Sequence, residues 1–434
     1  MAVSSILLLI EKVFRLGVGF FLNALIIRHL GPQDYGIWAY AIALVAIFSI
    51  LPSLDFGSLL IRDFSAHPER HSSLMGTATA TRLVGTVLGF LCIAIALFSS
   101  DVRNPKAEIV TFLVALSFVF QPFEIFESYL IAHARVGPIV LARFGSFLIS
   151  VLLKLMALFA SEGVIAFVLA SLVEPLVFVL TLGWIYRFVD ARPFNWRIDF
   201  KLAGQLLKEA APMIVSSMSV LIYMRVGQVM LASLIGEEEV GIYSIAVKLT
   251  EVWYFIPGSL AGIMIHRFTK VRQQDHALVI DEAGRFISVF FWTSLLLTIV
   301  VTVASPILIP LLFGEKFRAA IFPGQIYSWT LTASFIAVVV GQYLVACGRQ
   351  RIIFASTVLG VILNVLLNFL LIPHYASVGA SVSALVTYNV VTLGYLIFQW
   401  REGLHLMAFL RSLSPSHAVS NFQFIWRKLS GSVY

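Results

Sequence analysis

Twelve ionisable residues within the apolar stretches of this sequence are candidates to bind a charged ligand or to carry a proton. The bases are Lys12, Arg15, Arg82, Lys154, Arg225 and Lys248, and the acids are Glu11, Asp55, Glu124, Glu127, Glu174 and Glu251. A charge at the centre of a bilayer costs on the order of 2.5–3.5 kcal/mol on insertion scales. These residues are therefore expected to pair with one another, to face a hydrated cavity or to lie near a membrane surface.

Two pairs of these charges have a purely structural interpretation. Glu11 and Arg15 are four residues apart, and Lys248 and Glu251 are three apart, so each pair can form an ion pair on one helix face. For both pairs, the structural and the functional interpretations remain open at this point.

Other charges also have two interpretations. Arg82 can extend its guanidinium group to the cytoplasmic surface, and Asp55, which follows Pro52, is typical of a turn or cap. Glu174 is either a proton-carrying acid or a partner of Lys154. Glu124 and Glu127, placed near the outer end of their span, either bind sugar hydroxyls or face water.

The composition assigns these residues to a membrane protein. The chain has 434 residues, of which 59% are hydrophobic and 12% charged, whereas a soluble domain carries about 25% charged residues. Apolar runs long enough to cross a bilayer recur along the chain. Twelve spans are predicted, at residues 6–27, 37–60, 77–99, 108–131, 139–160, 164–186, 212–235, 240–264, 287–312, 322–347, 353–373 and 377–399.

The basic residues predict the orientation of these spans. With the N-terminus in the cytoplasm, nineteen Lys and Arg residues, Arg143 among them, fall on the cytoplasmic side, and five fall outside. Because cytoplasmic loops carry the excess of basic residues, both termini are predicted to be cytoplasmic. The formal net charge of +7 is explained by this topology, and nucleic acid is not an expected partner.

An internal repeat divides the chain into two halves. Leu30-Gly31-Pro32 followed by Tyr35-Gly36 has a counterpart in Ile235-Gly236 followed by Val240-Gly241, nearly half the chain later, and Leu130–Arg135 has one in Leu344–Arg349. Each half holds six spans, so corresponding spans run in the same direction, a symmetry typical of transporters. The prediction is an all-α polytopic membrane protein of about twelve transmembrane helices, in two parallel-repeat six-helix bundles around a central cavity. The predicted divisions are the bundles at 1–190 and 212–400, a cytoplasmic linker at 191–211 and a basic cytoplasmic tail at 401–434.

These motifs resemble those of the Wzx-type oligosaccharide flippases, within the multidrug/oligosaccharidyl-lipid/polysaccharide exporter superfamily. The resemblance rests on the repeated glycine turns, on Leu312–Phe317 with Ala320, and most specifically on Asn364…Asn368-Phe369-Leu370-Leu371-Ile372-Pro373 followed by Gly379-Ala380. It covers residues 5 to 400. One departure is Ala376, where the family usually has glycine.

The resemblance implies a substrate and a mechanism. An undecaprenyl-pyrophosphate-linked oligosaccharide would move from the cytoplasmic to the outer leaflet of a bacterial inner membrane, by alternating access coupled to an ion or proton gradient. A cationic lumen would replace the lost hydration of the phosphates. Arg225 is the first candidate for phosphate contact, because it lies near mid-span with no acid within four positions. Arg15 follows with Lys12, which shares its helix face, and then come Lys154 and Lys248; Glu174, Glu124, Glu127 and Glu251 are candidates for ion coupling or sugar contacts.

Two other functions fit the sequence less well. A cation-coupled drug exporter of the same superfamily would favour acids and aromatic residues without a basic lumen. A membrane glycosyltransferase or ligase would need a large external loop, and the interspan segments are too short for one. The sequence also lacks a G-x-x-x-x-G-K-[ST] loop, an H-E-x-x-H motif and a Cys/His cluster, so no catalytic residue, cofactor or metal is expected. A polysaccharide polymerase and glycosyltransferases are candidate partners.

Overall fold

The computed structural model describes residues 2–99, 104–189, 196–274 and 276–397, with side chains from residue 14 onward except residues 68, 189, 276, 277, 396 and 397. Its described residues form helices and turns without any strand, so the predicted all-α polytopic membrane fold is confirmed. The predicted tail at 401–434 lies outside the described residues. The α-helices are α1 (Ala2–Phe48), α2 (Ile50–Ser53), α3 (Gly57–Ala66), α4 (His71–Ser99), α5 (Pro105–Ala115), α6 (Ile125–Ala132), α7 (Val136–Phe159), α8 (Val164–Val189), α9 (Phe200–Leu234), α10 (Glu237–Glu251), α11 (Phe255–Gln274), α12 (His276–Phe313), α13 (Ile321–Ser328), α14 (Thr330–Ala346) and α15 (Gln350–Ile397). Short 3₁₀ turns lie at Pro68–Arg70, Leu116–Val119, Gln121–Glu124, Val252–Tyr254 and Glu315–Ala320.

Nine helical elements of the described chain are long and apolar enough to cross a membrane. Two of them contain two predicted spans each, because α1 is broken at Gly31 (φ 75°) and α15 at Ala376 (φ 46°). The predicted span at 240–264 is helical as well, but it is shared between α10 and α11, whose charged residues make it less apolar. α9 begins at Phe200, earlier than the predicted start of span seven at residue 212.

The second pair of repeated sequences forms the same helix cap twice. After α6, the N–H groups of Ala134 and Arg135 donate to carbonyls at 2.9 and 2.8 Å, and Ala134 has a φ of 56°. After α14, Gly348 and Arg349 donate at the same two distances, and Gly348 has a φ of 71°. Both ends are Schellman caps, in which a residue with positive φ turns its own N–H and the next one back onto the helix.

The chain folds into two compact units. The first holds Met1–Leu221 and Gly236–Gly241, and the second holds Ile222–Ile235 and the chain from Ile242 onward. Each unit has its own apolar core, the first around Phe64 and Tyr129 and the second around Phe268 and Phe335. The division between the units falls inside α9 and again inside α10.

The two glycines of the first repeated sequence pack against one another within the first unit. A Cβ on Gly36 would lie 1.7 Å from the Glu237 carbonyl oxygen, and a Cβ on Gly241 would lie 2.1 Å from that of Pro32. Only glycine permits so close an approach of two backbones. The repeated Gly36 and Gly241 therefore hold the start of α10 against the segment of α1 that follows its break.

Candidate functional site

A cavity of about 440 Å³ opens in the first unit between α1, α7 and α8. Its lining carries three bases and one acid, namely Arg15, Arg143, Lys154 and Glu174. Asn23 and Phe147 also line it. The structure thus brings together Arg15, Lys154 and Glu174, three of the residues that the sequence singled out.

Helix periodicity positions the bases on the cavity wall. Arg143, Phe147, Val151 and Lys154 all line the cavity, and their spacings of four, four and three residues place them on one stripe of α7. Arg143 is one of the nineteen bases assigned to the cytoplasmic side, so the sequence did not predict its position in this cavity. The stripe that it shares with Lys154 was the signal that could have found it.

Arg15 is held in the cavity by a carboxylate from another helix. Its Nη2 donates to Glu174 Oε1 at 2.5 Å, and its guanidinium carbon lies 5.4 Å from the centre of the Phe147 ring. About 30% of the Arg15 side chain and 24% of the Glu174 side chain are exposed. Glu174 therefore pairs with Arg15 and not, as the sequence alternative had it, with Lys154.

The other two bases have different environments. Arg143 donates to Glu127, and its guanidinium carbon lies 5.3 Å from the centre of the Phe178 ring. Lys154 forms no ion pair with any described side chain, although it lies near enough to Glu174 to interact with it electrostatically. The lining thus has an excess of positive charge, and the Lys154 ammonium group is available to an anion.

A second charged cluster lies in the second unit. Arg225 Nη2 donates to Glu251 Oε2 at 3.0 Å, which joins α9 to the end of α10. Lys248, one turn earlier on α10, lies close enough to attract the same carboxylate. Arg225 thus has an acidic partner, but it is one that lies 26 residues away in sequence.

Tyrosines surround this ion pair. Tyr243, Tyr254, Tyr327 and Tyr388 all lie within electrostatic range of Glu251. Glu251 Oε1 is buried without a hydrogen-bond partner among the described atoms. The arrangement is a buried carboxylate with one oxygen bound to Arg225 and the other free to accept a proton.

The structure can also be compared with the sequence at Arg82, Asp55, Asn364 and Lys12. The prediction that Arg82 reaches the surface is wrong: it is 4% exposed, and its Nε donates to the Ser53 carbonyl at 3.0 Å. Asp55 accepts a hydrogen bond from Ser217 at 2.9 Å and has a φ of 51°, as expected for a turn. Asn364 donates to the Thr387 hydroxyl at 3.0 Å, a contact between the two segments of α15. The side chain of Lys12, and that of Glu11 beside it, lie outside the described side chains.

The structure also bears on Glu124 and Glu127, which the sequence placed near the outer end of their span. Both lie just before the turn between α6 and α7, and Glu127 pairs with Arg143, two turns into α7. They therefore lie at the same end of the membrane region as Arg135, which the predicted orientation makes the cytoplasmic end. Glu124 interacts electrostatically with both Arg82 and Arg143.

A known protein family matches this chain. The model of a family described as "Polysaccharide biosynthesis protein" matches residues 25–322, more than half of the chain. This chain belongs to the polysaccharide biosynthesis protein family. Membership confirms the resemblance that the repeated glycine turns and the Asn364–Pro373 segment indicated.

Two curated relatives have flippase or capsule-related names. The probable low-salt glycan biosynthesis flippase Agl15 of Haloferax volcanii is 23% identical over 91% of this chain and 82% of its own length. The capsular polysaccharide biosynthesis protein CapF of Staphylococcus aureus is 20% identical over 88% of this chain and 95% of its own length. The prediction of a transporter rather than an enzyme is confirmed.

Solved structures share the fold. The lipid II flippase MurJ in an inward closed conformation superposes with a TM-score of 0.72, at 15% identity, over 94% of this chain and 91% of that one. An inward-facing multidrug resistance MATE family transporter of the MOP superfamily superposes with a TM-score of 0.71, at 14% identity, over 92% and 96%. At these identities the likeness concerns the fold alone.

Proposed function

We propose that this family member flips an undecaprenyl-diphosphate-linked oligosaccharide from the cytoplasmic to the outer leaflet of a bacterial inner membrane by alternating access. The observation that carries the proposal is the cavity that holds Arg15, Arg143 and Lys154 inside helices apolar enough to span a bilayer. Family membership supports a lipid-linked sugar as the class of substrate.

The cavity offers the diphosphate a replacement for water. Lys154 supplies an ammonium group that forms no ion pair with a described side chain, and Arg15 and Arg143 can exchange Glu174 and Glu127 for phosphate oxygens. Charge-assisted hydrogen bonds of this kind are worth roughly 1.5–3 kcal/mol each. Because each arginine keeps a carboxylate partner in the protein, neither guanidinium is left buried and uncompensated after the substrate departs.

Glu251 is the proposed coupling group. Protonation of its carboxylate would end its attraction to Arg225 and would free that guanidinium group to change partners. Lys248, Tyr243, Tyr254, Tyr327 and Tyr388 are the other charged or titratable groups that face the pair. A proton entering at Glu251 thus has a direct effect on the charge of the second unit.

The proposal also includes partner enzymes and a membrane topology. Glycosyltransferases would supply the lipid-linked oligosaccharide in the cytoplasmic leaflet, and a polymerase would consume it outside. Both termini would then lie in the cytoplasm, as the distribution of Lys and Arg predicts.

Lys154 provides the test of the cavity. In vesicles that contain lipid-linked oligosaccharide, Lys154→Met should lower the rate of flipping about tenfold or more, because one charge-assisted contact is lost. Lys154→Arg should retain most of the activity, since it keeps the positive charge. Met156→Gln, on the same helix but outside the cavity, serves as the matched control. Unchanged flipping by Lys154→Met would remove the cavity from the substrate path, and transport of cationic drugs by the wild-type protein would favour a drug exporter.

A further inference from the structure

The cationic cavity of the first unit is long and narrow. Its α7 wall extends from Arg143 to Lys154, which are roughly 17 Å apart along the helix axis at 1.5 Å per residue. Side chains of a helix lean toward its N-terminal end, so the two charged groups keep a similar separation. A volume of about 440 Å³ over this length describes a cleft with one cation toward each end.

Contacts between α7 and α8 fix the position of the acid along this cleft. The Arg143 guanidinium carbon lies 5.3 Å from the centre of the Phe178 ring, and Ser150 donates to the Ala170 carbonyl at 2.9 Å. The two helices are therefore antiparallel where they touch. Glu174 lies one turn from Phe178 and one turn from Ala170, which places its carboxylate in the middle of the cleft.

Contacts between α1 and α7 fix the position of the amide. The rings of Phe14 and Phe144 lie 5.6 Å apart, and His29 Nε2 lies 3.1 Å from the Glu162 carbonyl oxygen. The two helices therefore run side by side in the same direction. Asn23, which lies between these two contacts on α1, consequently lines the end of the cleft that holds the lysine.

The three bases of the cleft differ in their carboxylate partners. Arg143 pairs with Glu127 at one end, and Arg15 pairs with Glu174 in the middle. Lys154, at the other end, forms no ion pair with any described side chain. With the predicted orientation, the Arg143 end faces the cytoplasm. The positive charge that no carboxylate neutralises directly thus lies farthest from the leaflet in which the substrate is made.

We infer that the cleft holds the diphosphate in two alternative positions along the transport direction, an inner one at Arg143 and Arg15 and an outer one at Lys154 and Asn23. The inference rests on the proposed function and refines it. The two phosphoryl groups of a diphosphate share one bridging oxygen, so its charges span only a few ångströms. One diphosphate therefore cannot contact both ends of the cleft at once.

Each position offers suitable donors. At the inner position, the two guanidinium groups exchange their carboxylate partners for phosphate oxygens, which both can bind with two parallel N–H groups. At the outer position, the ammonium group of Lys154 is joined by the amide of Asn23, which donates one N–H to the Gly19 carbonyl at 2.7 Å and has a second N–H. The diphosphate can thus advance across the membrane and remain in contact with a cation.

Binding of inorganic diphosphate to the purified full-length protein in nanodiscs tests the inference, because this small probe can enter either position. Arg143→Gln with Glu127→Gln weakens the inner position and removes both charges of that pair together. Lys154→Met weakens the outer position. Each change alone leaves the other position available, whereas the two combined should weaken binding about tenfold or more. The combined loss should exceed the product of the two separate losses.

A single diphosphate position that included both ends would give a different result. The two losses would then multiply, and a combined loss equal to or smaller than their product would overturn the inference. The proposed function would survive that outcome, since the wild-type protein would still bind diphosphate in the cavity. A wild-type protein that binds no diphosphate would instead refute the proposed function and the inference with it.

Two further variants separate these effects from a loss of folding. Lys154→Arg in place of Lys154→Met keeps a cation at the outer position, so the combined variant should regain the affinity of the inner change alone. Failure of the arginine to restore binding would overturn the outer position. Arg267→Gln with Glu282→Gln removes an ion pair of the second unit and should leave the wild-type affinity unchanged.

Discussion

Arg225 and Arg15 show how single residues tolerate charge inside apolar helices. Each donates to one carboxylate of a different helix, Glu251 and Glu174 respectively. Removal of one member of such a pair leaves its partner as an uncompensated charge, a loss of roughly 3–5 kcal/mol when the pair is buried. Stability and transport must therefore be measured separately for any variant at these positions.

The pair of Arg225 and Glu251 gives the first prediction at this scale. Arg225→Ala should lower the unfolding temperature and abolish flipping, because Glu251 remains buried without its cation. The double variant Arg225→Met with Glu251→Gln should recover most of the lost stability, since it removes both charges of the pair together, yet it should remain inactive. Thermal unfolding in detergent and flipping in vesicles measure the two effects. A double variant that flips at the wild-type rate would show that the pair is structural only.

Glu251 gives a second prediction, about coupling. Glu251→Gln cannot exchange a proton, so flipping should lose its response to an imposed pH gradient. Glu282, which is 6% exposed and pairs with Arg267 in the same unit, offers the control. Glu282→Gln removes a comparable ion pair and should retain the response. Equal responses of wild type and Glu251→Gln to the gradient would assign coupling to another group.

At the scale of elements, residues with positive φ mark where the long helices break or end. Gly31 and Gly236, which correspond in the repeat, both have positive φ. The repeated caps after α6 and α14 follow the same rule, with alanine in one half and glycine in the other. Ala376 is the break within α15, with φ 46° and ψ −127°. A backbone with this positive φ favours glycine, which has no Cβ to clash.

Ala376 yields a prediction about stability. Ala376→Gly should stabilise the protein by about 1 kcal/mol, because a residue with a Cβ is strained in this conformation and glycine is not. Ala384→Gly provides the opposite control in the same element. That residue is 4% exposed and helical, so its replacement should lower stability by about 1 kcal/mol. Denaturation of both variants measures how the free energy of unfolding changes in each. A loss of stability in Ala376→Gly would mean that packing alone determines the break.

At the scale of the whole molecule, the distribution of basic residues predicts the orientation. Replacement of Cys92 and Cys347 by serine gives a background for single-cysteine labelling. Glu238→Cys, at the start of α10, should react with a membrane-impermeant maleimide added outside intact cells. Ser65→Cys, at the end of α3, should react only after the cells are opened. Both positions lie at helix ends outside the apolar core, and the reverse pattern would invert the topology and with it the proposed direction of transport.

The sequence by itself predicted the all-α membrane fold, the internal repeat and several of the charges that lie inside the helices. It could do so because apolar length, glycine turns and the excess of Lys and Arg are local properties of the chain. Arg15, Lys154 and Glu174 were recognised from the same local signal, which is a charge where lipid does not tolerate one.

Only the tertiary structure decided which charges meet. Arg15 and Glu174 are separated by 159 residues, and Arg143 belongs to the cavity rather than to the cytoplasmic surface. Periodicity states which residues share a face of one helix, but it does not state which other helix that face contacts. That choice depends on the packing of α1, α7 and α8 together, and it is what brings Arg15, Arg143 and Lys154 to one cavity.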